Sequence, residues 1–77
     1  MKIQVRLHGA LRDKLPPEAK GYTVLDVPEA TAVAGIPDLL NLTTHIQIAL
    51  NDEIIENQDT PLHDGDKIDI FRPAAGG

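Results

Sequence analysis

The sequence has 77 residues, with 12 acidic and 7 basic side chains, no cysteine and a formal net charge of -5. This length allows one domain with a single modest core, and the lack of cysteine excludes disulfides, thiolate metal sites and a thiol nucleophile. The negative charge disfavours nucleic-acid backbones and anionic membranes, and two aromatic residues, Tyr22 and Phe71, are too few for the stacking surface of a single-strand binder.

The first residues alternate apolar and polar side chains from Met1 to Arg6, where a secretion signal would have a charged segment followed by an apolar run. No stretch of the sequence is long and apolar enough to span a bilayer. We therefore expect a soluble cytoplasmic protein that has neither a membrane nor a nucleic-acid partner.

Two strands are predicted in the first third of the chain. Residues 3–7 place Ile3, Val5 and Leu7 on one face, which is the period-two pattern of a half-buried strand. Residues 22–27 again have the composition of a strand. Glycine and proline residues interrupt the pattern between them, so we expect a hairpin with a long, partly helical connection.

A helix is predicted next. Thr31 is a suitable N-cap, and Val33, Ile36 and Leu40 follow at spacings of three and four residues. In this helix Leu39 and Leu40 are expected to face the sheet. A glycine and a proline inside the segment weaken the prediction, because both residues disfavour a helix interior.

A second hairpin follows the helix. Residues 46–50 alternate apolar and polar side chains, and Asn51-Asp52 is a typical turn pair. The short apolar step Ile54-Ile55 then forms the returning strand.

The last segment is predicted to end in a strand. Residues 60–63 suggest a short helical turn and residues 64–66 a tight turn. Ile68 and Ile70 alternate with polar residues up to Phe71, and the proline two residues later prevents further regular pairing.

These elements predict an α+β fold in which one mixed sheet of about five strands is covered on one face by one main helix. The first and last strands are both strongly apolar, so pairing them in the middle of the sheet buries both. This is the β-grasp (ubiquitin-like) arrangement.

The histidines and carboxylates form no recognisable metal or catalytic pattern. His8, His45 and His63 lack the i, i+4 spacing of a helical metal site, and the acidic residues near Gly65 lack the twelve-residue pattern of an EF-hand. No pair of carboxylates is identifiable as a general acid and base. We predict no metal site and expect these residues to serve turns and solvated faces.

Three segments taken together are more specific for one protein family than any one of them. They are residues 2–13, residues 27–31, and residues 61–68 with the ending 71–77, which closes on Gly76-Gly77. Over the whole chain they resemble the MoaD/ThiS family of ubiquitin-like sulfur carriers, in the style of MoaD, the small subunit of molybdopterin synthase.

The resemblance implies that the C-terminal carboxyl group of Gly77 is the working group. An E1-like enzyme would use ATP to convert this group to an acyl-adenylate, and sulfur would then displace AMP. The resulting thiocarboxylate would donate its sulfur within a synthase, bound to the large subunit. The chain itself would bind no cofactor and supply no catalytic side chain, so it is a substrate and cosubstrate more than a catalyst.

We expect a β-grasp domain at residues 1–71 and a flexible tail at residues 72–77. A tail that enters two deep active sites must be thin and long, and six extended residues reach on the order of 20 Å. The resemblance also implies the partner-binding residues. These are Ile54 and Phe71 on the sheet surface and, in the tail, Arg72, Pro73, Ala74, Ala75 and Gly76.

Several alternatives remain at this point. For Ile54 and Phe71 the alternative is ordinary core or sheet packing. For the whole chain the alternatives are a carrier for thiazole or another thio-product, a modifier conjugated through Gly77 to lysines of target proteins, and a β-grasp interaction module without a carrier role. The long first strand and the proline in the tail favour molybdopterin synthase and molybdenum cofactor biosynthesis.

Overall fold

The two most regularly alternating strands lie at the centre of one sheet. In the computed structural model, which describes residues 1–42 and 45–73, the strands are β1 (Lys2–Leu7), β2 (Tyr22–Asp26), β3 (Gln47–Leu50), β4 (Glu53–Ile55) and β5 (Lys67–Phe71). Their order across the sheet is β2-β1-β5-β3-β4. β1 runs parallel to β5, whereas β1–β2, β3–β4 and β3–β5 are antiparallel. The predicted β-grasp fold is confirmed.

One face of the sheet carries the core. Ile3, Val5 and Leu7 of β1 are buried and alternate with exposed residues, and Ile68 and Ile70 of β5 are buried in the same way. Each such side chain stabilises the fold by about 1.5–3 kcal/mol when it leaves water. The other buried apolar residues of this core are Leu11, Val27, Val33, Ile36, Ile48, Leu42 and Leu62.

The opposite face, which we call the open face, consists of the outward side chains of the five strands. The register defines it, because the Cα partners Tyr22, Arg6, Asp69, Ala49 and Ile54 form one row from β2 to β4. Paired residues of neighbouring strands point to the same side of a sheet, so this row and its alternate neighbours along each strand share one surface.

The connection between β1 and β2 is partly helical, as predicted. It contains two 3-10 segments, Gly9–Lys14 and Pro17–Ala19. Leu11 is the buried residue of the first segment and joins the core.

The helix differs from the prediction. Within the described residues α1 spans only Gly35–Leu39, and its N-cap is Ala34. None of the helices in this part of the chain is long and apolar enough to cross a membrane. Thr31 is therefore not the N-cap, and its hydroxyl donates to the Pro28 carbonyl oxygen at 2.7 Å. The late start has a physical reason: Pro37 falls in the first turn, where the missing N–H has no helical partner to lose.

Leu39 does not face the sheet as predicted, since its side chain is 59% exposed. A helix of little more than one turn presents only a narrow stripe to the core, and here Ile36 and Pro37 fill it. Leu40 is partly buried and packs against the core.

The predicted helical turn at residues 60–63 is also wrong. This segment is extended and runs antiparallel beside the chain that leads to α1, with a bridge between Ala32 and Pro61. The Leu62 N–H donates to the Thr31 carbonyl at 3.0 Å, and the Val33 N–H donates to the carbonyl of residue 60 at 2.9 Å. These bonds satisfy backbone groups that a helical turn would have paired locally.

Candidate functional site

The apolar part of the open face lies towards β4. Ile54 is 57% exposed and belongs to no part of the core cluster, so ordinary core packing is excluded for it. Its partner Ala49 in β3 is nearly buried, yet it also lies outside the core cluster because it points to the open face. Ile54 is therefore an exposed apolar side chain on the open face, beside a small buried residue.

Phe71 closes β5 on the same face. It pairs with Gln47 of β3 and lies two residues after Asp69, which belongs to the row that contains Ile54. Two strand spacings and an offset of two residues along the strand separate Phe71 from Ile54, so the two residues lie roughly 12 Å apart on the sheet. Phe71 is half-buried.

His8 supports the Phe71 ring. The His8 N–H donates to the Ile70 carbonyl at 3.1 Å, which continues the β1–β5 pairing by one residue. Its ring meets the Phe71 ring edge-on, with centroids 6.3 Å apart and an interplanar angle of 86°. Its Nε2 lies 2.9 Å from Oδ1 of Asp69. These contacts hold the His8 ring against the ring of Phe71, the residue that directly precedes the tail.

His8 and Asp69 are the functional candidates that sequence reasoning missed. His8 was expected to be a surface or turn histidine, and Asp69 was placed in the last strand, where it lies, but neither residue was connected with Phe71. The sequence did contain a signal for the position of His8. The first and last strands were predicted to pair, and a parallel pairing places the residue after β1 beside the end of β5.

The tail residues are described only at their start. Arg72 and Pro73 are exposed and follow β5 directly. Ala74, Ala75, Gly76 and Gly77 lie outside the described residues, as do Thr43 and Thr44. The division into a domain of residues 1–71 and a flexible tail therefore stays a prediction.

The β2 side of the open face is more polar. Nζ of Lys2 donates to Oδ2 of Asp26 at 3.0 Å, and this hydrogen bond and the positive charge of Lys2 lower the pKa of the Asp26 carboxyl. The Tyr22 hydroxyl donates to Oε1 of Gln4 at 3.3 Å. One exposed apolar residue, Val24, stands among them with 49% of its surface exposed.

In residues 1–42 and 45–73 no three His, Asp or Glu side chains gather closely enough to hold a metal ion. The open face carries the exposed apolar side chain of Ile54 and the half-buried ring of Phe71, and Phe71 directly precedes the tail residues Arg72 and Pro73.

Comparison with known proteins identifies the family. The model of the ThiS family matches residues 5–77. Searching curated protein sequences yields no match. Among solved structures, the chain is similar to the protein–protein complex of subunits 1 and 2 of molybdopterin-converting factor from Helicobacter pylori 26695, with 26% identity, a TM-score of 0.67 and 100% of both chains covered.

Two further structures share the fold. The thiamine biosynthesis protein ThiS from Geobacter metallireducens is 20% identical with a TM-score of 0.66, and 100% of both chains is covered. Small archaeal modifier protein 1 from H. volcanii is 18% identical with a TM-score of 0.76, covering 95% of this chain and 98% of that one. Because the family match extends over nearly the whole chain and the sheet has the β-grasp order, this chain belongs to the ThiS family, which is of the MoaD/ThiS sulfur-carrier type.

Proposed function

We propose that this chain carries sulfur as a thiocarboxylate on the C-terminal carboxyl group of Gly77, and that it works in the cytoplasm as the small subunit of a molybdopterin synthase. The observation that supports the proposal is the family match, which runs to the final two glycines. One structural neighbour, 26% identical, contains a subunit of molybdopterin-converting factor bound to a second subunit. This favours a synthase large subunit as the second partner.

The chemistry explains why an activating enzyme is needed. A carboxylate is a poor electrophile, so one of its oxygens first attacks the α-phosphorus of ATP, and pyrophosphate leaves. A sulfide nucleophile then attacks the carbonyl carbon of the acyl-adenylate, and AMP leaves with the former carboxylate oxygen. The net change is one oxygen replaced by one sulfur. The carrier binds no cofactor of its own in this scheme, since the E1-like enzyme uses the ATP.

A partner that docks on the open face lies next to the start of the tail. Ile54 supplies an exposed apolar anchor, and exposed aliphatic and aromatic side chains commonly dominate the affinity of such contacts. Phe71 is held against His8, so the partner meets a fixed aromatic ring immediately before Arg72 and Pro73. The partner then threads Ala74, Ala75, Gly76 and Gly77 towards its own active site.

The direct test is the mass of the intact chain after incubation with ATP, sulfide and the E1-like enzyme of its host. We expect a gain equal to one oxygen-to-sulfur exchange, and no gain when Gly77 is deleted or ATP is omitted. An unchanged mass in the complete reaction would overturn the proposal. Adducts on lysines of other proteins, in place of the sulfur gain, would identify a modifier.

The docking surface is tested by a matched pair of substitutions. Ile54→Asp and Val24→Asp both place a carboxylate at an exposed apolar position of an edge strand, but Val24 lies four strands away, roughly 19 Å. We expect Ile54→Asp to slow sulfur loading by at least about tenfold, which corresponds to the loss of one apolar anchor. Val24→Asp should leave the rate nearly unchanged, and equal effects would place the docking surface elsewhere.

The pathway is tested with the sulfur-loaded chain. Supplied to a molybdopterin synthase large subunit and its pterin precursor, it should yield the dithiolene product. Turnover only with a thiazole synthase would assign the chain to thiamine biosynthesis and leave the carrier chemistry intact.

A further inference from the structure

A groove of about 440 Å³ lies where β1 ends, beside the start of β2. Arg6, Arg12 and Lys20 line it together with His8 and Tyr22, and the lining contains no acidic residue. It therefore concentrates three of the seven basic side chains of a chain whose net charge is -5. A second groove of about 390 Å³ adjoins it, shares Arg12 and Lys20, and includes one carboxylate, that of Asp13.

The three cations have no carboxylate partner in the part of the chain that the structure describes. The ion pairs found there use the amino group of Met1, and Lys2, His8, His63 and Lys67. Arg6 stacks over the Tyr22 ring, with its guanidinium carbon 5.9 Å from the ring centroid. Stacking occupies the face of a guanidinium and leaves the N–H donors at its edge available.

The side chain of Arg12 lies against the backbone of Gly21. A Cβ added to Gly21 would lie 2.9 Å from Cγ and 3.2 Å from Nε of Arg12, so the side chain of Arg12 crosses directly over the backbone of Gly21. Lys20 precedes this glycine in a left-handed turn conformation, with φ of 55°. The two cations thus reach one groove from different segments of the chain.

We propose that this groove is a binding site for a phosphate-class oxyanion, a ligand that goes beyond the carrier function. Three like charges that form no ion pair among the described residues repel each other, and a compact dianion relieves this repulsion while accepting charge-assisted hydrogen bonds from the two guanidinium groups and the ammonium group. The shared chemistry is the phosphate group, either free or as the 5′-phosphate of a nucleotide.

The site is tested by titrating the full chain with sodium phosphate while backbone amide and arginine Nε signals are followed by NMR at constant ionic strength. We expect saturable shifts centred on Arg12, Lys20 and their neighbours. Sodium chloride at equal ionic strength should not reproduce them. Shifts that do not saturate, that spread evenly over the surface or that chloride reproduces would overturn the site.

Charge-matched variants provide the control. Arg12→Gln and Lys20→Gln should each weaken phosphate binding by roughly tenfold, as expected for one lost charge-assisted hydrogen bond. Lys14→Gln removes the same charge from the same 3-10 segment, but Lys14 is exposed and lines neither groove. Binding should survive this change, and an equal loss in all three variants would show a diffuse field with no site.

AMP distinguishes the two sources of phosphate. Tighter binding of AMP than of inorganic phosphate, with additional shifts at Tyr22, would identify a nucleotide phosphate, and equal affinities would identify the phosphate group alone. Sulfur loading of Gly77 is not measured in these titrations, so the failure of either proposal leaves the other standing.

Discussion

Gly21 is the residue at which backbone conformation and close packing constrain the side chain together. Its φ is +78°, in the left-handed region, and an added Cβ would lie 2.7 Å from the Leu7 carbonyl oxygen. Its own carbonyl accepts the Leu7 N–H at 2.7 Å. Only a residue without a Cβ allows β2 to begin this close to the end of β1.

Gly21→Ala is expected to destabilise the fold by about 2–4 kcal/mol, because left-handed strain and a backbone collision add. Gly65→Ala is the control. Gly65 has a similar φ of +86° but open space around the Cβ position, so its cost should be the strain alone, about 1–2 kcal/mol. Urea denaturation gives both values, and equal losses would show that the close approach at Gly21 does not matter.

Asp26 adds a dependence on pH. Since its pKa is lowered by the hydrogen bond and charge of Lys2, the pair stabilises the folded state above the ordinary carboxyl value of 3.8. This stability is lost as the pH falls through the lower pKa of the folded protein.

Asp26→Asn should therefore lower the urea midpoint slightly at neutral pH, and its difference from the parent chain should vanish in acid. The effect is small because the pair is exposed. Glu29→Gln, at an exposed carboxylate without an ion pair in the described residues, should show no such convergence. A pH-independent effect of Asp26→Asn would contradict the ion-pair explanation.

The candidate site was only partly predictable from its residues. Ile54 and Phe71 could be placed on the sheet surface only through the family resemblance, because the strand pattern left core packing open for both. The support of Phe71 by His8 was missed although the first and last strands were predicted to pair, because the alternation pattern does not give the register that brings position 8 beside position 71.

At the scale of elements, the C-terminal end of α1 is defined by two backbone hydrogen bonds. Asn41 follows the helix with φ of 57° and donates its N–H to the Asp38 carbonyl at 3.2 Å, while the Leu42 N–H donates to the Pro37 carbonyl at 2.9 Å. These two bonds form a Schellman motif, in which the buried Leu42 supplies the apolar contact. The sequence carried this stop signal as an asparagine, which is less distinctive than the usual glycine.

Asn41→Ala is expected to destabilise the protein by about 1 kcal/mol, because alanine tolerates the left-handed conformation poorly. Asn41→Gly should be neutral or slightly stabilising, since glycine enters this region without strain. Thermal unfolding of the two variants separates these outcomes. If both substitutions cost the same, the asparagine side chain and not its backbone angle would be responsible.

The elements that sequence reasoning missed share one cause. The strands of the sheet follow their own alternation, so β1, β3 and β5 were recognisable from local pattern alone. The segment at residues 60–63 and the start of α1 instead depend on pairing with each other through Ala32 and Pro61. Local propensity carries no information about such a tertiary contact, so the pairing and not the propensity determined the structure of these two segments.

For the whole molecule, stability is concentrated in the middle of the sheet. Ile70 of β5 is fully buried and has paired strands on both sides, whereas Ile55 of the edge strand β4 is only partly buried. Both side chains point to the core face, because Ile48 is the Cα partner of each.

Ile70→Ala should cost about 3–5 kcal/mol, because it opens a cavity that the surrounding strands cannot close. Ile55→Ala should cost about 1–2 kcal/mol, since the edge strand can relax and part of the side chain is already in water. Chemical denaturation gives the loss of unfolding free energy for both variants. A larger loss for Ile55→Ala than for Ile70→Ala would show that the core is most important for stability under β4.

The central position of β5 has a consequence for synthesis. Until translation has passed Phe71, β1 lacks one neighbour, and the two hairpins have nothing to join them. Ile54 and Phe71 come to share a face only when β5 inserts between β1 and β3. If the activating enzyme of the proposed function docks on both residues before it accepts the tail, it would select chains whose sheet is complete, and unfolded chains would not be loaded with sulfur.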